Sequence, residues 1–405
     1  MTVETETTCP PAESEGTGTI RSEESRRRPE GRLVARRQAF GTIPRSTWDE
    51  LASRTPWATP FSRWAFHRAW WDAYGDTAHD ETIVVFASGP SGGGPIGIVP
   101  LMHRHFAEPD DAAQATELRH GDEPPITPLV PAAKVTFFGA SYHADYATIL
   151  CARDDLAAVI DAVVDAFAQP AGTDGHPQSW DAIDLRRLRC GDPAIDALAA
   201  AFGRREVGEG WTLNLEREDV CPVVGLPEGA DLDGYLATLD RKDRHEIRRK
   251  VRRAEAAGEV ALVDSPDPVA DLPAFIDLHQ RRWGHHGLFP DTPGGDRSRV
   301  LFRRLFEEHA GGDVLRMSFL SIGDRRVGAA VWFCEGDTAY LYNAGLDPDA
   351  RALSPGVVMV ERSVRRALAD GTRRLDFLRG DEPYKYEWGA RDEPVARVLV
   401  RRTAA

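Results

Sequence analysis

Tyr340-Leu-Tyr-Asn-Ala-Gly345, then Arg351-Ala-Leu-Ser-Pro-Gly356, then an apolar-periodic run to Ala369 is the text that decides the fold. The first piece reads as a hydrophobic strand, the second as a loop. Pro355–Ala369 reads as a helix with Pro in its first turn and Gly371 just past its end. A strand that turns into a helix presents free backbone N–H groups at the helix N-terminus. Those donors and the helix dipole suit a pyrophosphate. Gly356 lets a ligand approach the backbone, Ser354 can cap the helix, and Arg351 can pair with a phosphate oxygen. The Ser-Pro-Gly text is also an ordinary helix cap, so its neighbours must decide.

Working backwards from this junction, Leu272–Trp283 predicts a helix. Val314–Ile322 and Arg326–Glu335 predict a hairpin around Gly323-Asp324, and Ala339–Leu346 a strand. Working forwards, Arg374–Leu378 and Val395–Arg401 predict strands. The earlier half carries the same order. Ser46-Thr-Trp-Asp49 resembles a capping box, and 62–74 is an amphipathic helix whose Trp64, His67, Trp71 and Tyr74 read as core. Thr82–Ser88 and Ile96–His103 form a predicted hairpin across Gly92-Gly93-Gly94-Pro95. Strands at Val135–Phe138 and Ala147–Leu150, a helix at Leu156–Phe167 and a strand at Asp181–Leu188 follow.

The halves also share text. Ala182-Ile-Asp-Leu-Arg-Arg-Leu-Arg-Cys-Gly-Asp-Pro193 echoes Arg374-Leu-Asp-Phe-Leu-Arg-Gly-Asp-Glu-Pro383, and Ile96-Gly-Ile-Val echoes Val327-Gly-Ala-Ala. An internal duplication of an α/β unit explains this, with the Pro/Asp-rich stretch 107–134 inserted in the first copy. The counterpart of the loop in that copy, Cys151-Ala-Arg-Asp-Asp-Leu156, has no glycine and adds acid. Carboxylates repel phosphate, so the first copy is expected to serve as scaffold and one wall of a cleft.

A length of 405 residues suits two domains of moderate size. The expected division is a disordered tail over 1–39, one domain over 40–219 and a second over 220–405. The tail is rich in Glu, Thr, Ser, Gly and Pro and then in Arg, too polar to offset its ordering entropy. The net charge of −14 argues against general DNA or anionic-membrane binding. Cys9, Cys151, Cys190, Cys221 and Cys334 are scattered, without a C-x-x-C pair, as expected of a reducing cytoplasm. No apolar run approaches the ~18 residues that span a bilayer. His103 and His105 share a strand face but lack a third ligand, so no metal site is expected.

Between the copies, 236–257 reads as a basic helix. Arg241, Lys242, Arg244, Arg248, Arg249, Lys250, Arg252 and Arg253 stand against Asp243 and Glu246. Ile247, Val251 and Ala254 give it one apolar face, so it should dock there and turn its cations outward, solvated or holding an anion.

The order helix, hairpin, strand, loop, helix, strand resembles the GNAT acyltransferase superfamily, whose acyl-CoA loop reads Q/R-x-x-G-x-G/A. Arg351 and Gly356 match its first and last positions, and Ser354 replaces the middle glycine. From about Phe40 the chain resembles the tandem-GNAT proteins of the CelD cellulose-biosynthesis type. That text is Thr59-Pro-Phe-Ser, Leu278-His279 with Trp283, the arginine-rich helix, and Leu378-Arg-Gly-Asp-Glu-Pro-Tyr-Lys-Tyr-Glu-Trp388. More distantly it resembles the Fem-type peptidyltransferases. The resemblance implies two tandem GNAT-like α/β domains, with mixed, mostly antiparallel sheets side by side. It also implies an N-acyltransferase moving an acyl group, acetyl or longer, from acyl-CoA to an amine of a polar metabolite or sugar. A backbone donor for the thioester oxygen is implied near Asn343, Gly345 and Leu346. Aminoacyl transfer from tRNA, or a non-catalytic role in polysaccharide synthesis, are the alternatives.

An alkylamine with pKa ~10 is mostly ammonium at neutral pH and needs a base before it can attack. Gly380-Asp381-Glu382-Pro383-Tyr384-Lys385 leaves the last core strand where α/β proteins place their crevices. Asp381 is the expected base or amine-binding carboxylate, with His279 as the alternative base. Tyr384 is the expected acid at sulfur, and Lys385 the holder of an anionic acceptor or a phosphate.

Overall fold

The computed structural model describes residues 33–88, 94–104, 126–129, 133–169 and 180–402, apart from the side chains of 206–209. The tail up to 32, Gly92 and Gly93, His105 and most of the Pro/Asp-rich stretch lie outside the described residues. The chain opens with β1 (Leu33–Arg37), α1 (Arg45–Arg54), α2 (Trp64–Tyr74), β2 (His79–Asp80), β3 (Ile83–Ala87), β4 (Pro95–Val99) and β5 (Leu101–Arg104). Then come β6 (Val135–Phe138), β7 (Leu150–Cys151), α3 (Leu156–Ala168), β8 (Ala182–Arg189), α4 (Pro193–Glu209) and β9 (Trp211–Gly225). Next are α5 (Leu232–Ala237), α6 (Arg241–Ala257), β10 (Val260–Asp264), α7 (Pro268–Trp283) and α8 (Pro293–Glu308). The chain closes with β11 (Leu315–Ile322), β12 (Arg325–Glu335), β13 (Thr338–Leu346), α9 (Pro355–Ala369), β14 (Arg374–Asp376), α10 (Pro383–Tyr386) and β15 (Arg391–Arg402).

The mixed, mostly antiparallel sheets flanked by helices are those expected, and the strands of the two halves lie side by side so closely that they join in one eleven-stranded sheet, ordered β10-β11-β12-β13-β14-β9-β15-β8-β6-β5-β2, with a four-stranded sheet β1-β3-β4-β7 beside it. Each half contributes one parallel pair, β6 with β8 and β13 with β14. The neighbour of each pair toward the middle of the sheet is a strand from elsewhere. β9, which follows the first half, lies against β14, and β15, which ends the chain, lies against β8. β9 and β15 then pair with each other along their lengths. The boundary proposed at 219/220 falls inside β9.

The repeated text has a repeated physical cause. A Cβ on Gly97 would sit 2.7 Å from Val159 of α3, and one on Gly328 2.5 Å from Met359 of α9. In each half a glycine lets the helix after the loop press onto the sheet. The echo Ile183-Asp-Leu and Leu375-Asp-Phe lies on or just past the matching strands β8 and β14, and Asp184 and Asp376 are both buried.

Alternation along β12 shows how the sheet is covered. Ala329, Val331 and Phe333 join the core under α2, α7 and α8, whereas Ala330 and Trp332 join the core under α5, α6 and α9. The basic helix α6 docks through Ile247, Val251 and Ala254, as its pattern predicts.

Three local expectations change. Leu33–Arg37 pair with β3, so ordered chain precedes Phe40. α1 starts at Arg45 behind Pro44 with no side-chain cap, and Asp49 instead accepts from the Trp64 amide at 3.0 Å, fixing the start of α2. The single strand expected over 96–103 breaks at Pro100. That residue lacks the N–H a ladder needs, so β4 enters the small sheet and β5 the large one.

Candidate active site

The parallel pairing of β13 with β14 lasts three residues, from Thr338 opposite Arg374 to Tyr340 opposite Asp376. Beyond it the strands part. β13 also carries a bulge, since Val331 faces Asn343 while Trp332 faces Leu341, leaving Tyr342 as the extra residue. Past Tyr340, backbone groups of β13 on the β14 side have no ladder partner among the described residues. A cavity of 270 Å³ opens in this split. Leu341 to Ala344 form one wall, Phe377, Arg379 and Gly380 another, the end of α7 a third, and Tyr142, His143 and Asp145 of the first half close it.

The expected residues divide sharply. Asn343, His279, Tyr384 and Lys385 line the cavity, while Asp381, Gly345, Leu346, Arg351, Ser354 and Gly356 do not. Asp381 is half-exposed beside it, and the neighbouring Glu382 faces in. Lys385 is buried and its Nζ donates to the carbonyls of Leu378, Arg379 and Gly380 at 3.0, 2.9 and 2.9 Å. Glu382 lies 2.9 Å from the same ammonium. All three of its protons are committed, so Lys385 shapes the turn and does not hold a substrate anion. Tyr384 meets Phe377 edge-on, and burial pushes its hydroxyl up to about 12, which keeps it protonated. His279 is buried against Phe275 and Phe289, and burial pushes it down to about 4.

Several amides of the loop are engaged by the protein itself. Pro348–Leu353 forms a 3₁₀ helix whose own bonds engage its amides. The Ser354 amide donates to Arg351 O, Pro355 has no N–H, and the Val357 and Val358 amides donate to Ser354 O. Ser354 does not cap α9 with its side chain; its Oγ accepts from Arg253 at 2.7 Å. Gly345 serves packing, because a Cβ there would lie 2.4 Å from the backbone nitrogen of His279 on α7.

His143 has no counterpart among the sequence-predicted residues. Its backbone is left-handed, with φ 75°, an uncommon conformation for a side-chain-bearing residue. Its Nε2 lies 2.8 Å from the Tyr74 hydroxyl, which lies 3.1 Å from Ser298 Oγ. Ser298 donates to Gly294 O at 3.2 Å. Ser298 therefore accepts from Tyr74, and Tyr74 accepts from His143. The hydrogen-bond chain assigns the proton to Nε2 and leaves Nδ1 as an acceptor on a residue that lines the cavity. Burial, and then Arg379, push His143 down to about 3, so the ring is neutral at neutral pH. Tyr342 donates to its carbonyl at 3.2 Å and holds the strained turn.

The floor is a charge cluster. Arg379 donates from Nε to Asp145 at 2.6 Å and lies 3.7 Å from Asp219. Beneath it, Asp376 accepts from Tyr146 at 2.8 Å and from the Leu378 amide at 2.7 Å. Burial raises Asp376 to about 6. Among the described residues no group of three or more His, Cys, Asp or Glu side chains is arranged to hold a metal, and no helix is long and apolar enough to cross a membrane.

No curated protein matches the chain. Among solved structures it is similar to FemX, with a TM-score of 0.55 at 11% identity, covering 87% of this chain and 96% of that one. It is also similar to the C-terminal domain of a putative lysylphosphatidylglycerol synthetase from Agrobacterium fabrum, with a TM-score of 0.46 at 11% identity and coverages of 89% and 93%. Likeness at such identity is likeness of fold. The split between β13 and β14 lies within residues 241–386, which match the family model described as Acetyltransferase (GNAT) domain.

Proposed function

We propose that the chain is an N-acyltransferase whose reaction takes place in the split between β13 and β14. The observation that carries this reading is the cavity at that split, lined by the edge of β13 past its pairing with β14, a neutral histidine and a protonated tyrosine. The donor's acyl carbon enters beside β13, where a backbone N–H stabilises the carbonyl oxygen as it gains charge. The amine enters neutral, and His143 Nδ1 takes its proton late, once C–N bond formation has made that nitrogen strongly acidic. The new C–N bond forms, the bond from the acyl carbon to its leaving atom breaks, and Tyr384 gives that atom its proton. The imidazolium formed is held through Nε2–H by Tyr74.

The first reading of the donor is acyl-CoA, on the strength of the acetyltransferase family match. A polar metabolite or sugar amine, as for CelD-type proteins, remains the expected acceptor. The second reading is aminoacyl-tRNA, as for Fem-type enzymes. Two observations favour it: the amides of 351–356 are largely engaged by the protein itself, and α6 carries exposed Arg241, Lys242 and Arg252. Calorimetry with acetyl-CoA and with charged tRNA, at low and high salt, separates the two. Salt-sensitive tRNA binding without CoA binding establishes the second reading. If neither donor binds nor loses its acyl group, the transferase reading fails.

A further inference from the structure

Three cations line the cavity, and two are fully committed. Arg379 is spent on Asp145 and Asp219, and Lys385 on three carbonyls and Glu382. The third, Arg282, stands in the last turn of α7 and stacks its guanidinium over the Trp283 ring at 4.5 Å. It has no hydrogen-bonded or ion-paired partner among the described residues, although arginines around it are paired, such as Arg281 with Asp347 and Asp349. Burial lowers its pKa while Tyr384 and Glu382 act the other way. A half-buried guanidinium without a counter-ion loses hydration and regains nothing from the protein. Its planar fork fits a carboxylate or phosphate bidentately.

We propose that Arg282 holds an anionic group of the acceptor, so that the acceptor is an amine bearing a carboxylate or a phosphate. The anion lies on the α7 wall and the nitrogen lies at His143, on the wall contributed by the first half. The cavity volume of 270 Å³ admits a small amino acid or amino phosphate, or the terminal portion of a larger one. The amine end of this assignment rests on the transfer reading above. The anion end rests on Arg282 alone.

Calorimetry on the full chain tests it with two matched probe pairs: O-phosphoethanolamine against ethanolamine, and β-alanine against propylamine. The anionic member of one pair is expected to bind about tenfold more tightly, and which pair shows this tells phosphate from carboxylate. Its binding should shift tryptophan fluorescence, and Trp283→Phe should remove that shift. Arg282→Gln should abolish the preference and Arg282→Lys restore part of it. Both variants should melt with the wild type, because Arg282 makes no ion pair among the described residues. Equal binding within both pairs, no binding of either anionic probe, or a preference that survives Arg282→Gln overturns the proposal. An anion preference without acyl transfer to these amines would instead count against the transferase reading and leave the anion site standing.

Discussion

His143 draws its chemistry from Tyr74 and Ser298, which are far away along the chain and adjacent in space. His143→Gln is expected to lower kcat for acyl transfer by about 10²–10⁴-fold with little change in KM. Tyr74→Phe should give a smaller loss, since it removes the orienting partner and spares the base. Steady-state kinetics of both variants check this. Asp381→Asn should leave turnover unchanged, because Asp381 lies outside the cavity. Asp376 supplies a pH signature. Its folded pKa, about 6, is raised, so the folded state binds the proton more tightly than the unfolded chain. Its contribution is largest below the unfolded value near 4 and is lost as pH rises through about 6. Urea unfolding across this window should show a downward slope with pH that Asp376→Asn flattens. The place of Tyr384 on the cavity wall was legible in the sequence, because it follows a strand end, where crevices form. His143 was not, because a lone histidine in a loop carries no periodic signal, and Tyr74 read correctly as core. Lys385 was misread, since sequence cannot tell a lysine aimed at ligand from one whose protons go to its own turn.

The turn after β14 depends on that lysine. Lys385→Met strips three carbonyls and Glu382 of their donor and should cost roughly 3 kcal/mol in chemical denaturation. Gly345→Ala should cost about 1–3 kcal/mol and impair turnover, because the added methyl displaces α7 and with it His279 and Arg282. Strongly patterned elements were readable: Pro355–Ala369 and Val135–Phe138 match their predicted bounds, and α6 buries its predicted face. β9 went unread although Trp211, Leu213 and Leu215 alternate with polar residues at its start, a signal that was available. The 3₁₀ turn at Pro348–Leu353 was hidden, because proline, aspartate and alanine there suit an open loop equally well.

Across the molecule, the exchange of β9 and β15 makes the halves one sheet. Calorimetric unfolding should show a single transition where two independent domains would show two. Removing Arg391–Arg402 should leave both β8 and β9 without their shared neighbour and abolish the fold. The matching placement of Gly97 and Gly328 and of Asp184 and Asp376 was legible in the shared text. Strand exchange was not, because pairing between 211–223 and 391–402 is long-range and no local pattern encodes it. The joined sheet also explains why the cavity draws on both halves, with His143 from one and Tyr384 and Arg282 from the other.

The most direct measurement is the rate of amine acylation with the donor that binds, made side by side for wild type, His143→Gln and Asp381→Asn. Loss of turnover in the histidine variant alone, with its melting temperature and donor affinity intact, is the predicted result. Full activity in His143→Gln, or a loss confined to Asp381→Asn, would contradict the placement of the reaction at the split between β13 and β14 beside His143.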